Sequence, residues 1–75
     1  MPITTLTRVD TVDCVEGFYI VRGFDAKKMP WKFTTNKAWA AAAADRALVK
    51  NLPLIVEWRD SRHFGKDIVS AGIDA

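Results

Sequence analysis

Asn36–Lys50, NKAWAAAAADRALVK, is the one stretch of this chain that carries the marks of an α-helix. Five consecutive alanines, Ala40 to Ala44, combine the highest helix propensity with no side-chain entropy to lose. Asn36 is the expected N-cap, with Thr35 as the alternative, because either side-chain oxygen can accept an orphan N–H of the first turn. Lys50 suits the negative C-terminal end, Asn51 tolerates a left-handed backbone, and Pro53 prevents continuation. At about 100° per residue, Ala40, Ala41, Ala44, Ala47 and Leu48 share one face. A face made largely of methyl groups lets a helix lie close against a sheet. Trp39 falls opposite Leu48, on the arc of Arg46 and Lys50. It is expected to fold over the sheet end as a core lid, since large aromatics are mostly buried. An exposed partner contact is the alternative.

On both sides of the helix the pattern changes to alternation. Immediately before it, Trp31–Thr35 (WKFTT) predicts a short strand with Trp31 and Phe33 inward and Lys32 and Thr34 outward. Asp25–Pro30 (DAKKMP) is a polar connection. Phe18–Phe24 (FYIVRGF) is the strongest strand, with Phe18, Ile20 and Phe24 on one side and Tyr19 and Val21 on the other. Arg22 shares the first side, which calls for an edge position or a bulge at Gly23. Glu16-Gly17 reads as a tight turn. Leu6–Val15 (LTRVDTVDCV) places apolar residues three apart, but its β-branched content favours a bulged or coiled strand. After the helix, Leu54–Arg59 (LIVEWR) points Leu54, Val56 and Trp58 inward. The loop Asp60–Gly65 then leads to a last strand over Lys66–Ile73.

The order β-β-β-α-β-β resembles the oligonucleotide/oligosaccharide-binding fold, a small five-stranded Greek-key barrel with a helix between its third and fourth strands. The expected class is therefore α+β, mainly β, with one Ala-rich helix, as a single domain over residues 1–75. If Trp31–Thr35 were not a strand, a β-grasp-like sheet plus helix would be the alternative.

Seventy-five residues, 49% apolar and 27% charged, describe a globular chain with a thin core. No apolar run approaches the roughly 20 residues of a membrane span, so no membrane association is expected. The first ten residues lack a basic segment followed by an apolar block, and the single Cys14 cannot form an intrachain disulfide. Both point to a cytoplasmic setting. The net charge of +2 is unevenly spread, because residues 1–25 are net acidic and nine of the eleven Lys and Arg follow them.

Catalysis is not expected. His63 and Cys14 are each the only residue of their kind, and neither lies in a nucleophile–base motif. Cys14 is expected to be a small buried apolar residue. No metal or cofactor is expected either, since one His and one Cys fall short of a zinc site and the four glycines are scattered singly. The functional lead is a non-enzymatic binding module for single-stranded nucleic acid. Phosphates need cations and unpaired bases need flat π surfaces. Tyr19 and Lys32 on the outward sheet side, Lys27 and Lys28 in the connecting loop, and Arg59, Arg62, Phe64 and Lys66 around the second loop supply both. In the resembled fold that sheet face and that loop are binding surfaces. The alternative is a protein-interaction module, binding a partner or a second copy through Trp39, Arg46 and Lys50 or through an edge strand.

Overall fold

The computed structural model describes residues 2–74. It contains β1 (Ile3–Leu6), β2 (Arg8–Val15), β3 (Phe18–Phe24), β4 (Pro30–Thr35), α1 (Ala38–Lys50), β5 (Leu54–Ser61) and β6 (Gly65–Ile73). The strands form one sheet in the order β1-β5-β6-β4-β3-β2, antiparallel throughout except where β4 lies beside β6. The fold is mainly β with one helix, as expected. The pairing does not confirm the expected five-stranded OB-like barrel: the sheet is open and has six strands. The difference arises at the first strand. Leu6 pairs with Leu54 of β5, whereas Arg8 pairs with Phe24 of β3. Thr7 turns between them, giving its N–H to the Phe24 carbonyl at 2.9 Å. The expected strand Leu6–Val15 is thus broken at Thr7: Arg8–Val15 is β2, while Leu6 ends an additional strand, β1, at the opposite edge of the sheet. Trp31–Thr35 does form a strand, which removes the premise of the β-grasp alternative.

Every strand contributes to one core. Leu6, Val9, Val21, Phe33, Leu54, Val56 and Ile68 are buried together, with Ala40, Ala44 and Ala47 of the helix against them. Glu16 and Gly17 close the β2–β3 hairpin with φ of 51° and 86°. That double left-handed turn matches the twist of the strands it joins. The facing of β3 is the reverse of the expected one. Val21 pairs with Phe33 and is fully buried, so Tyr19, Val21 and Gly23 look inward while Phe18, Ile20 and Arg22 look outward. Gly23 explains why. A Cβ there would sit 2.5 Å from the Arg8 carbonyl oxygen and 3.0 Å from Leu6 Cδ1. The chain passes over β3 at this point, and only a residue without a side chain fits beneath it.

The helix is capped differently at its two ends. Its N-cap is Lys37, which makes no side-chain capping bond, and the expected cap Asn36 is exposed. Thr35, buried at the end of β4, instead accepts the Lys37 N–H at 3.1 Å and shapes the entry turn. At the other end Asn51 is left-handed, as expected, with φ of 55°. Its N–H reaches the Leu48 carbonyl and the Leu52 N–H reaches that of Ala47, a complete Schellman closure.

The alanine face is the one expected, with Ala40, Ala41, Ala44 and Ala47 buried mainly against β2 and β6. Trp39 is not a core lid. It lies about 140° round the helix from Ala44 and is 53% exposed. Cys14 is likewise exposed and not buried, because it sits near the tip of the β2–β3 hairpin at the margin of the helix.

Two pairs of substitutions test this packing by thermal or urea denaturation. Gly23→Ala is expected to cost at least about 1–3 kcal/mol through overpacking. Gly72→Ala, with no atom within 4 Å of the new methyl, should be neutral or slightly stabilising. Ala44→Leu should also cost about 1–3 kcal/mol, whereas Ala42→Leu on the exposed side should cost nothing. Equal losses within either pair would refute the packing described.

Candidate nucleic-acid interface

The β3–β4 connection is built around Asp25. Its Oδ1 accepts the backbone N–H groups of Lys27 (2.9 Å) and Met29 (3.0 Å), and its Oδ2 accepts the indole N–H of Trp31 at 3.0 Å. One carboxylate therefore shapes the loop that carries Lys27 and Lys28 and fixes the ring at the start of β4. The indole bond is the main reason why the Asp25 carboxyl titrates below its usual value of 3.8. The Met29 backbone N–H acts in the same direction, desolvation opposes both, and the Lys27 N–H and charge add smaller lowering effects.

Trp31 belongs to an aromatic group at the rim of the core. It stacks on Phe33 with centroids 5.8 Å apart and planes 9° from parallel, and Trp58 meets it at 5.8 Å with a 57° tilt. The Trp58 indole N–H donates to Thr4 Oγ1 at 2.9 Å. Both tryptophans are only half-buried. The Lys66 ammonium lies over the two rings, 5.9 Å from the Trp31 centroid and 5.5 Å from that of Trp58. An open groove of about 590 Å³ runs past this group between the Asp25 loop, β4 and Lys66. Lys27, Lys32 and Lys66 line it beside a single carboxylate, Asp25.

On the outer face of the sheet, Arg22 and Lys32 are direct cross-strand partners. Two like charges so placed repel, and Asp13 offsets this by pairing with Arg22 at 3.1 Å. Farther along β3, Phe18 packs on Phe64 with centroids 4.9 Å apart, and His63 adjoins Phe64. The tip of the β5–β6 hairpin thus touches the start of β3.

The residues singled out from the sequence fall into separate groups. Lys27, Lys32 and Lys66 come together in the groove. Arg62 is exposed on the β5–β6 turn near Phe64, which meets Phe18 on the outer face of the sheet, and neither Arg62 nor Phe64 lines the groove. Lys28 points to a different hollow, with Thr7, Arg8 and Phe24. Arg59 lies 3.7 Å from Asp67, a buried carboxylate that Lys37 also approaches at 3.5 Å. Tyr19 departs most from expectation. It faces the helix side, in a hollow with Cys14, Ala38 and Ala42, and so lies on the opposite face from Lys32. Trp39, Arg46 and Lys50 are all exposed along the outer side of the helix. Trp31 and Trp58 face inward, as alternation predicts, and pack against the core, but both stay half-buried at its rim, and that partial exposure was not anticipated. Trp31 lies one residue into β4, right after Pro30, and that position at the rim of the sheet was the available signal.

Among the described residues, no three His, Cys, Asp or Glu side chains gather as metal ligands, and no helix is long and apolar enough to cross a membrane.

Acid should loosen the groove. Because the folded Asp25 carboxyl titrates below 3.8, its contribution is complete above that value and is lost as the pH falls through the lower folded value. In an acid titration followed by NMR, the Trp31 indole N–H resonance is expected to hold steady down to about pH 4 and to move below it. The Asp25→Ala variant should show no such step. A step of equal size in that variant would assign it to another group.

Comparison of the chain with protein-family models, with curated proteins and with solved structures found no match.

Proposed function

We propose that this protein is a non-enzymatic binding module for single-stranded nucleic acid, which it holds along the groove beside Trp31 and the outer face of β3 and β4. The observation that carries the reading is the half-buried Trp31 set among Lys27, Lys32 and Lys66 in one open channel. A π surface bordered by cations provides what an unpaired base and its flanking phosphates need. The cross-strand row of Arg22 and Lys32 extends the cationic track, and Phe18 with Phe64 offers a second aromatic surface beyond it. On the outer face, from Arg22 to Phe18 is four residues along β3, a distance of about 13 Å. That is room for about four stacked nucleotides at roughly 3.4 Å each.

The strand order supports the same reading. With Ile3–Val15 taken as one strand bent at Thr7, the sequence of neighbours and the parallel β4–β6 contact resemble those of an OB-like barrel, although the sheet itself is open. In that architecture, the strands corresponding to β3 and β4 and the β5–β6 turn are binding surfaces.

Fluorescence anisotropy with a labelled single-stranded oligonucleotide, at low and moderate salt, tests the proposal. Affinity should fall steeply as salt rises. Lys27→Ala/Lys32→Ala should make the log–log salt slope shallower by about 1.4, the amount for two phosphate contacts on a single strand. Trp31→Ala should cost about 1–3 kcal/mol of binding, and Trp39→Ala should cost none. Absence of binding at low salt would discard the proposal. The second reading, a protein contact through the helix, would then stand on the exposure of Trp39 beside Arg46 and Lys50. An apolar helix interface should respond little to salt.

A further inference from the structure

Both indoles in the rim cluster have their polar edges tied internally, Trp31 to Asp25 and Trp58 to Thr4. Each ring is therefore held in place, and what it has left to offer is its faces. One face of Trp31 is taken by Phe33. Lys66 holds its ammonium within 6 Å of both Trp31 and Trp58. Among the described residues no carboxylate lies within ion-pair distance of Lys66, so the aromatic rings are its main local attraction. Its backbone sits on β6 opposite Asp60, close to the hairpin turn, and its side chain reaches into the open groove.

We infer that Lys66 is a displaceable occupant of a nucleotide site: an incoming base takes the Trp31 face, and the ammonium released from the indoles moves to an adjacent phosphate. The inference rests on the nucleic-acid reading above and specifies the ligand class of that groove as an aromatic base with at least one neighbouring phosphate. The physical argument is one of exclusion and compensation. A base and an ammonium cannot both cover the same ring face. A ligand with a base alone must remove Lys66 from a favourable cation–π seat and gives nothing in return. A nucleotide supplies an anion for the same ammonium, so stacking and charge recognition are coupled through one side chain. Lys27 and Lys32, already lining the groove, hold the neighbouring phosphates and keep the ligand over Trp31.

Two measurements test this. In wild-type protein, the Lys66 ε-methylene protons should be shifted upfield by the ring currents of the two indoles. Titration with a short oligodeoxyadenylate should return them to the ordinary lysine position in step with binding followed by anisotropy. In the Lys66→Ala variant, adenosine, which has no phosphate, should bind about two- to fivefold more tightly than to wild type, the worth of one exposed cation–π contact. The same variant should bind the oligonucleotide more weakly, with a salt slope shallower by about 0.7. An oligonucleotide that binds while the Lys66 methylene signals stay upfield would overturn the displacement and leave the binding function intact. So would adenosine binding that is unchanged or weakened in the variant. No oligonucleotide binding at low salt would overturn both this inference and the function on which it rests.

Discussion

The fold depends on a close backbone crossing at Gly23. Leu6 must pair with β5, Arg8 must pair with β3, and Thr7 alone is available to turn the chain between them. The turn brings the Arg8 carbonyl and the Leu6 side chain directly over β3. A side chain at Gly23 would force these layers apart and lift Leu6 from the core that it shares with Leu54, Val56 and Phe33. Close approach also explains how so short a chain makes one core, because seven inward residues from six strands converge on the same small volume.

Alanine serves the same economy of space on the helical side. A face of Ala40, Ala44 and Ala47 adds little volume of its own, so the helix backbone can approach β2 and β6 closely. The helix has no acid in its first turn and no side-chain cap at its start. Its first residues are held from outside, through Thr35 behind them and through Lys37, whose ammonium lies 3.5 Å from the buried Asp67 of β6. Secondary structure here is specified locally, but its start is anchored by tertiary contacts.

Much of this was legible in the residues. The alanine run, Asn51 and Pro53 placed the helix and its end, alternation placed Leu54 and Val56 in the core, and Glu16-Gly17 marked the first hairpin. The facing of β3 was not legible by counting large apolar residues, because Phe18 and Ile20 outweigh Val21 and Gly23. What decides the face is the partner strand and the crossing above Gly23, neither of which is a local property. Tyr19 was carried to the wrong side of the sheet by the same error. Trp39 and Cys14 were judged by how often such residues are buried, whereas a thin core and one short helix leave no layer to cover them. The lysines of the groove were legible as cations. Their common site was not, since it brings together Lys27, Lys32 and Lys66 from three separate elements around a tryptophan at the rim of the core.

The corner at Thr7 also bears on the order in which the molecule can assemble. The β2–β3–β4 meander joins neighbours along the chain, and its hairpins can form early and locally. The pairing of Leu6 with Leu54 spans the whole meander and the helix, so its loop-closure entropy is offset only when β5 and β6 are in place. β1, although first in sequence, therefore carries the pairing with the longest intervening chain, and seating it completes the core.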